Sequence, residues 1–195
     1  MDISLVLEET ILALANAVVE TGSLIKKAPI TKQLGKLNKK NIQDETQSKL
    51  DVLSNGIFTR HLQQTQSVIG AVSEEVDDEI IFDKKRIENQ QLVFFDPLDG
   101  SSNVESNVSS GSIFSVYKVR HEKAISKADF LETGSNQLAA GFSVYGPSII
   151  LILTVGNGTY KFCYDESEKV FVCTDEKILI SNETNEFSIN MSNQR

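Results

Sequence analysis

Eight short apolar runs follow one another between residues 66 and 174, and they constrain the fold more than any other feature. They are "QSVIGAV" (66–72), "EIIF" (79–82), "QLVFF" (91–95), "SIFSVYKV" (112–119), "LAAGFSVYG" (138–146), "IILILTV" (149–155), "TYKFCY" (159–164) and "VFVCT" (170–174). Each is rich in β-branched and aromatic residues and bounded by Gly, Asn or Asp, the pattern of strands separated by turns. "VGNGT" between the sixth and seventh runs predicts a hairpin, because Asn-Gly tolerates positive φ at both central positions. The chain ahead of these runs has a different period. Residues 4–25 carry Leu5, Leu7, Ile11, Leu12, Leu14, Ala15, Val18 and Val19 on a helical stripe, and Pro29 is expected to end that helix. A lysine-rich loop is expected to follow, to about residue 43. A second helix is expected from Thr46 to Gln64, burying Leu50, Leu53, Ile57, Phe58 and Leu62. Helices first and strands afterwards argue an α+β fold, with N-terminal helices packed on a mainly antiparallel mixed sheet. No linker divides the chain.

Composition narrows the partners. A formal net charge of -8 offers phosphates no broad cationic surface, which argues against nucleic acid. The six lysines between Lys26 and Lys40 read as solvated surface, with an anion-effector site as the sharper alternative. The N-terminus shows no signal-peptide pattern, and the longest apolar run, "SIILILTV" (148–155), is too short to span a membrane. The expected compartment is therefore cytoplasmic. Cys163 and Cys173 flank a predicted hairpin and are read as reduced thiols. The sequons at Asn107, Asn157, Asn182 and Asn190 are read as composition.

Two of the apolar runs end in acids. "VIGAV" runs into Ser73, Glu74 and Glu75, and "QLVFF" into Asp96 and Asp99. If those strands lie side by side, four carboxylates converge at one end of the sheet. Like charges so placed raise one another's pKa or demand a cation. Mg²⁺ is commonly held by a few carboxylates together with substrate phosphate. Pro97 fixes the backbone between the two aspartates, and the Leu98 carbonyl becomes a further candidate oxygen. The residues after Asp99 have the opposite character. Gly100 permits an unusual turn, and Ser101, Ser102 and Asn103 bring hydroxyl, amide and main-chain donors that suit an anion-binding nest. Carboxylates for metal beside donors for phosphate are the layout of metal-assisted phosphate hydrolysis.

"FDPLDGSSN" (95–103), "VSEEVDDEI" (72–80), "KLDVLSN" (49–55) and "NIQDETQSKLD" (41–51) together resemble the N-terminal domain of class I fructose-1,6-bisphosphatase. "GSIFSVY", "LAAGFSVYG" and "FSINMSNQR" fall in family order. The Asp-Pro-x-Asp-Gly pattern alone marks only the wider lithium-sensitive carbohydrate phosphatase superfamily; "KLDVLSN" with "SEE" narrows it. The resemblance implies the N-terminal half of the layered sugar-phosphatase fold over residues 1–195, with a second domain of comparable size absent from this chain. It implies Mg²⁺, with Mn²⁺ as a substitute, held by Glu74, Asp96, Asp99, the Leu98 carbonyl and Glu45. Asp51 and Glu75 would orient and deprotonate the attacking water. Gly100, Ser101, Ser102 and Asn103 would hold the departing phosphate. The implied activity is hydrolysis of the C1 phosphate of fructose 1,6-bisphosphate, a gluconeogenic step, in a parent enzyme that is a homotetramer. His61 and His121 match no catalytic spacing and are assigned nothing. Two other readings compete: an inositol-monophosphatase-like sugar phosphatase, and a catalytically silent metal-binding or assembly module.

Overall fold

The computed structural model describes residues 3–40, 46–119, 123–131 and 133–185. Helix α1 spans Leu5–Thr31, and the Ser4 hydroxyl caps it by accepting from the Leu7 N–H. The helix therefore runs past residue 25, with Pro29 inside it. Pro29 removes one N–H near the end of the helix. The next residues complete the turn, and Lys32 closes it in the left-handed conformation with its N–H on the Ala28 carbonyl. Strands β1 (Lys36–Lys40) and β2 (Thr46–Ser48) pair antiparallel where a loop and the first helical turn were expected. Helix α2 accordingly starts later, at Lys49, and ends at Gln64. Its start is fixed by a capping box: the Ser48 hydroxyl accepts from the Asp51 N–H at 3.1 Å, and the Ser48 N–H donates to the Asp51 carboxylate at 2.6 Å. The buried stripe is Leu50, Ser54, Phe58 and Leu62, at a spacing of four. Leu53 lies off that stripe and is exposed, contrary to the expectation from sequence.

The eight apolar runs all form strands: β3 (Val68–Ser73), β4 (Ile80–Ile81), β5 (Gln91–Asp99), β6 (Ser110–Lys118), β7 (Gln137–Tyr145), β8 (Ile149–Thr154), β9 (Thr159–Asp165) and β10 (Val170–Asp175). They make one sheet in the order β10-β9-β8-β7-β6-β5-β3-β4. Every pairing is antiparallel except β3 with β5. Short helix α3 (Ser101–Glu105) follows β5. The β8–β9 hairpin forms as expected, but the positive φ angles fall on Gly156 and Gly158 and not on Asn157. In the β9–β10 hairpin Cys163 opposes Val172 and Cys173 opposes Phe162. Opposed residues share a face and adjacent ones do not, so the two free thiols lie on opposite faces of the hairpin.

Helices α1 and α2 cover one face of the sheet. Phe58 of α2 stacks on Phe95 of β5 with ring centroids 5.3 Å apart, and Leu14, Val18, Val93, Val116, Leu151 and Leu153 complete that core. Among the described residues the other face is covered only over β3, β5 and β6. There Phe130 and Ile125 lie on Ile69, Leu92 and Phe94. Farther along the same face Ile113 and Phe142 stay about half exposed, at 50% and 45%. Charged groups lock α1 and α2 to the start of β3. The Glu9 carboxylate accepts from the Gln66 and Ser67 N–H groups at 3.1 and 2.9 Å. Lys84 Nζ donates to the carbonyls of Leu62 and Val68 at 3.0 and 2.6 Å.

Two glycines give opposite expectations. A Cβ at Gly141 would lie 2.6 Å from both the Ile152 carbonyl oxygen and the Phe114 ring, so Gly141→Val should cost about 1–3 kcal/mol through overpacking. Gly56 sits inside α2 with nothing within 4 Å, so Gly56→Ala should stabilise by roughly 0.5–1 kcal/mol. Urea unfolding of both variants measures the pair. Equal shifts in one direction would contradict this packing.

Candidate active site

The parallel pairing of β3 with β5 sets Val72 opposite Phe94 and Ser73 opposite Phe95. Strands that run in the same direction end together, so the residues just past them meet. The Glu74 N–H donates to the Phe95 carbonyl at 3.1 Å and continues the pairing one residue beyond β3. Oxygens of Glu74, Glu75 and Asp96 lie within 4.8 Å of one another. Each joins the cluster by a different route. Glu74 and Asp96 follow the alternation of their strands onto the face away from the helices, where both line a groove of about 680 Å³. Glu75 is buried, its N–H donating to the Ser73 hydroxyl at 3.2 Å.

The ends of the cluster are tied down. The Gln47 amide donates to the Glu75 carboxylate at 2.7 Å and to the Glu75 carbonyl at 2.8 Å. Asp96 accepts from the Leu98 N–H at 2.9 Å, a local turn that fixes one of its oxygens. Asp51 is buried at the first turn of α2, close enough for its charge to act on both Glu75 and Asp96. One Asp51 oxygen serves the capping box, while Oδ1 is buried with no hydrogen-bond partner among the described residues. A buried carboxylate oxygen without a donor demands a cation or water.

Burial and crowding shift the acids upward. Glu75 is pushed up to about 8, first by burial and then by the Asp51 and Glu74 charges, against the Gln47 hydrogen bond. Asp96 is pushed up to about 6, again first by burial, with Glu74, Asp99 and Asp51 adding repulsion. Three carboxylates in contact, two of them resisting ionisation, form an oxygen-only donor set that fits a hard divalent cation.

Other residues of the expected site stand at different distances from this cluster. Asp99 is exposed at the end of β5, outside the tight group, while its charge still reaches Asp96. Leu98 buries its side chain and commits its N–H to Asp96. Gly100 takes φ +74°, the left-handed conformation its sequence position suggested, and leads into α3 with Ser101 and Ser102 in its first turn. The Asn103 amide donates to the Ser109 carbonyl at 3.1 Å, so it clips the loop after α3. Asp99, Gly100 and Asn103 line a hollow with Ser109, Ser110 and Gly111. Glu45 and His121 lie outside the described residues. His61 pairs with Glu20 at 2.8 Å on the helical side. Gln47 was missed from sequence, because a neutral residue before a helix carries no signal until its strand partner is known.

The family model of the fructose-1,6-bisphosphatase N-terminal domain matches residues 2–176. A class 1 fructose-1,6-bisphosphatase of Acinetobacter baumannii is 42% identical over 172 residues, covering 88% of this chain and 52% of the relative. The holo-form crystal structure of Leishmania major fructose-1,6-bisphosphatase superposes with a TM-score of 0.86 at 34% identity. That match covers 92% of this chain and 56% of that one. The apo form gives a TM-score of 0.80 at 31% identity, over 95% and 56%. The chain thus spans about half the length of the relatives it matches.

The raised acids make stability depend on pH in a definite direction. Between the ordinary carboxylate range and about 8 the folded chain keeps a proton on Glu75 that the unfolded chain has lost. Stability of the metal-free chain should therefore fall as pH rises from about 5 to about 8, and Asp96 should contribute the lower part. Thermal melts in EDTA across that range test it. Glu75→Gln should remove most of the slope above pH 6, and an unaltered slope would contradict the assignment.

Proposed function

The chain belongs to the fructose-1,6-bisphosphatase family, and from that membership and its clustered acids we propose a metal-dependent phosphomonoester hydrolase site. The substrate we assign is fructose 1,6-bisphosphate, hydrolysed at C1. The observation that supports this most is the meeting of Glu74, Glu75 and Asp96 at the ends of β3 and β5. Glu74 and Asp96 would hold the cation from the open face, with Asp99 and the Leu98 carbonyl at its outer edge and Glu45 as a further ligand. Bound Mg²⁺, or Mn²⁺ in its place, supplies Lewis-acid charge neutralisation at the phosphoryl oxygens.

The chain's own residues divide the remaining work. Glu75 is the general base: its buried carboxyl keeps its proton near neutral pH in the metal-free chain. Beside a bound cation, which offsets the Asp51 and Glu74 charges, it would ionise and could accept the proton of the attacking water. Gln47 orients that carboxylate through its 2.7 Å bond. Asp51 stands behind Glu75 as a second acceptor, and its unpartnered Oδ1 is available to align a water. Gly100, Ser101 and Ser102 hold the departing phosphate, with the Gly100 turn aiming the following N–H groups. Asn103 supports that loop. No residue within 1–195 is assigned to the sugar or the 6-phosphate, which the resemblance places on a second domain. We infer that these residues act as the N-terminal domain of a cytoplasmic, gluconeogenic, homotetrameric enzyme. Among the described residues no helix is long and apolar enough to cross a membrane.

The proposal predicts that Mn²⁺ binds the chain and that Asp96→Asn weakens binding by at least about tenfold, since one charge-assisted contact is lost. Calorimetric titration measures it, and equal affinities would overturn the site. Phosphate release from fructose 1,6-bisphosphate should fall by about 100-fold in Glu75→Gln. Release that is unchanged in Glu75→Gln would remove Glu75 from the chemistry.

A further inference from the structure

The turn that carries Asp96 and Asp99 is supported from beneath by a pair of buried hydroxyls that the chemistry above does not use. On β6 the partners of Asp96 and Asp99 are Ile113 and Gly111, so three steps along β5 oppose two along β6. This bulge takes the Pro97 carbonyl out of the ladder, and a buried carbonyl requires another donor. Ser112 supplies it: its hydroxyl donates to the Pro97 oxygen at 2.7 Å. Tyr145 Oη lies 2.6 Å from the same Ser112 oxygen. A serine hydroxyl has one proton, and here it is spent on Pro97, so the phenol must be the donor of the second bond.

Both members are fixed by their surroundings. Ser112 is fully buried, and its N–H donates to the Ser143 hydroxyl at 3.2 Å. Burial pushes the Tyr145 phenol up to about 12, so it remains a donor at any physiological pH. The buried Thr21 hydroxyl of α1 lies beside the phenol, outside strict hydrogen-bond geometry. Gly22 lets α1 approach closely: a Cβ there would stand 2.6 Å from the Ile149 side chain and 3.3 Å from the Tyr145 ring. The two O–H groups thus point one way, from Tyr145 at the helix side to Ser112 and on to Pro97. Such head-to-tail bonds polarise and strengthen one another.

We propose that Ser112 and Tyr145 are positioning residues for the cation site, holding the Pro97 carbonyl so that Asp96 and Leu98 keep the geometry that binds metal. The proposal rests on the cation reading of the Glu74, Glu75 and Asp96 cluster. Its mechanism is local. Without the Ser112 hydroxyl the carbonyl must rotate toward water, and the Leu98 N–H, 2.9 Å from Asp96, turns with the shared backbone.

Two readouts on the full chain separate this role from general support of the fold. The first is hydrogen exchange of the Leu98 amide, which needs no metal. Ser112→Ala should speed it by about tenfold, and Ser112→Thr, which restores the hydroxyl, should return it to the wild-type rate. The second is Mn²⁺ affinity well below the melting temperature, which should drop about tenfold in Ser112→Ala and recover in Ser112→Thr. Tyr145→Phe leaves the Ser112–Pro97 bond in place and should give a smaller change of the same sign, about threefold in each readout. It also carries the test if Ser112→Ala does not fold. Unchanged Leu98 exchange in the variants that fold would overturn the proposal, as would a loss that Ser112→Thr fails to rescue. If wild type and Asp96→Asn bind Mn²⁺ equally, the cation reading fails, while Leu98 exchange still judges the hydroxyl pair.

Discussion

The one parallel pairing in the sheet, β3 against β5, is the contact on which the candidate site depends. Antiparallel neighbours joined by a tight turn would have sent the "SEE" and "DPLDG" segments to opposite ends. Parallel neighbours require a return path, and residues 74–90 provide it, with β4 pairing back on the outer edge of β3. Gln90 holds that return path closed. Its amide donates to the carbonyls of Gln66 and Lys85 at 3.1 Å, and its oxygen accepts from Arg86 at 2.7 Å. The register then follows from packing, because a slip of one residue would exchange the Val93 and Phe95 face for the Leu92 and Phe94 face. It would also turn Asp96 toward the helices and away from the groove that Glu74 lines.

Bringing the acids together has an electrostatic cost, and the neighbouring elements limit it only in part. Burial and mutual repulsion push Glu75 and Asp96 toward their neutral forms. Against this stand the Gln47 and Leu98 donors and the first turn of α2, whose positive dipole end lies at Asp51. Asp51 has two tasks in one carboxylate: one oxygen starts the helix, and the other is left without a partner. The described residues thus leave the site incompletely satisfied. A divalent cation relieves all of these terms together, which is the physical basis for the activity proposed.

The two faces of the sheet have different roles. The helical face is a closed core, in which the stacked Phe58 and Phe95 rings hold the middle of α2 against the end of β5. The opposite face carries the groove into which Glu74 and Asp96 open, with Ile113 and Phe142 half exposed along it. The hydroxyl pair of Ser112 and Tyr145 lies between these layers and links the α1 packing to the backbone of the acid-bearing turn.

By itself the sequence determined the eight strands of the large sheet, that this sheet would be mainly antiparallel, and that two of its strands would end in acids. Period, turn residues and carboxylates at strand ends are local properties, and they survive folding with little change. It could not determine where α1 stops, since Pro29 ends a helix only if the next turn lacks support. Nor could it show that Thr46–Ser48 would leave α2 to pair with Lys36–Lys40, a choice made by a partner distant in the chain. Within the site, tertiary structure decided that Glu75 joins Glu74 and Asp96 while Asp99 stays at the rim, because burial and the β5 bulge set those distances. Gln47, Ser112 and Tyr145 are neutral residues with unremarkable neighbours in sequence. Their contribution arises only when β2, β6 and β7 are laid against the acid-bearing ends, since a hydrogen bond is a property of two positions and not of either residue alone.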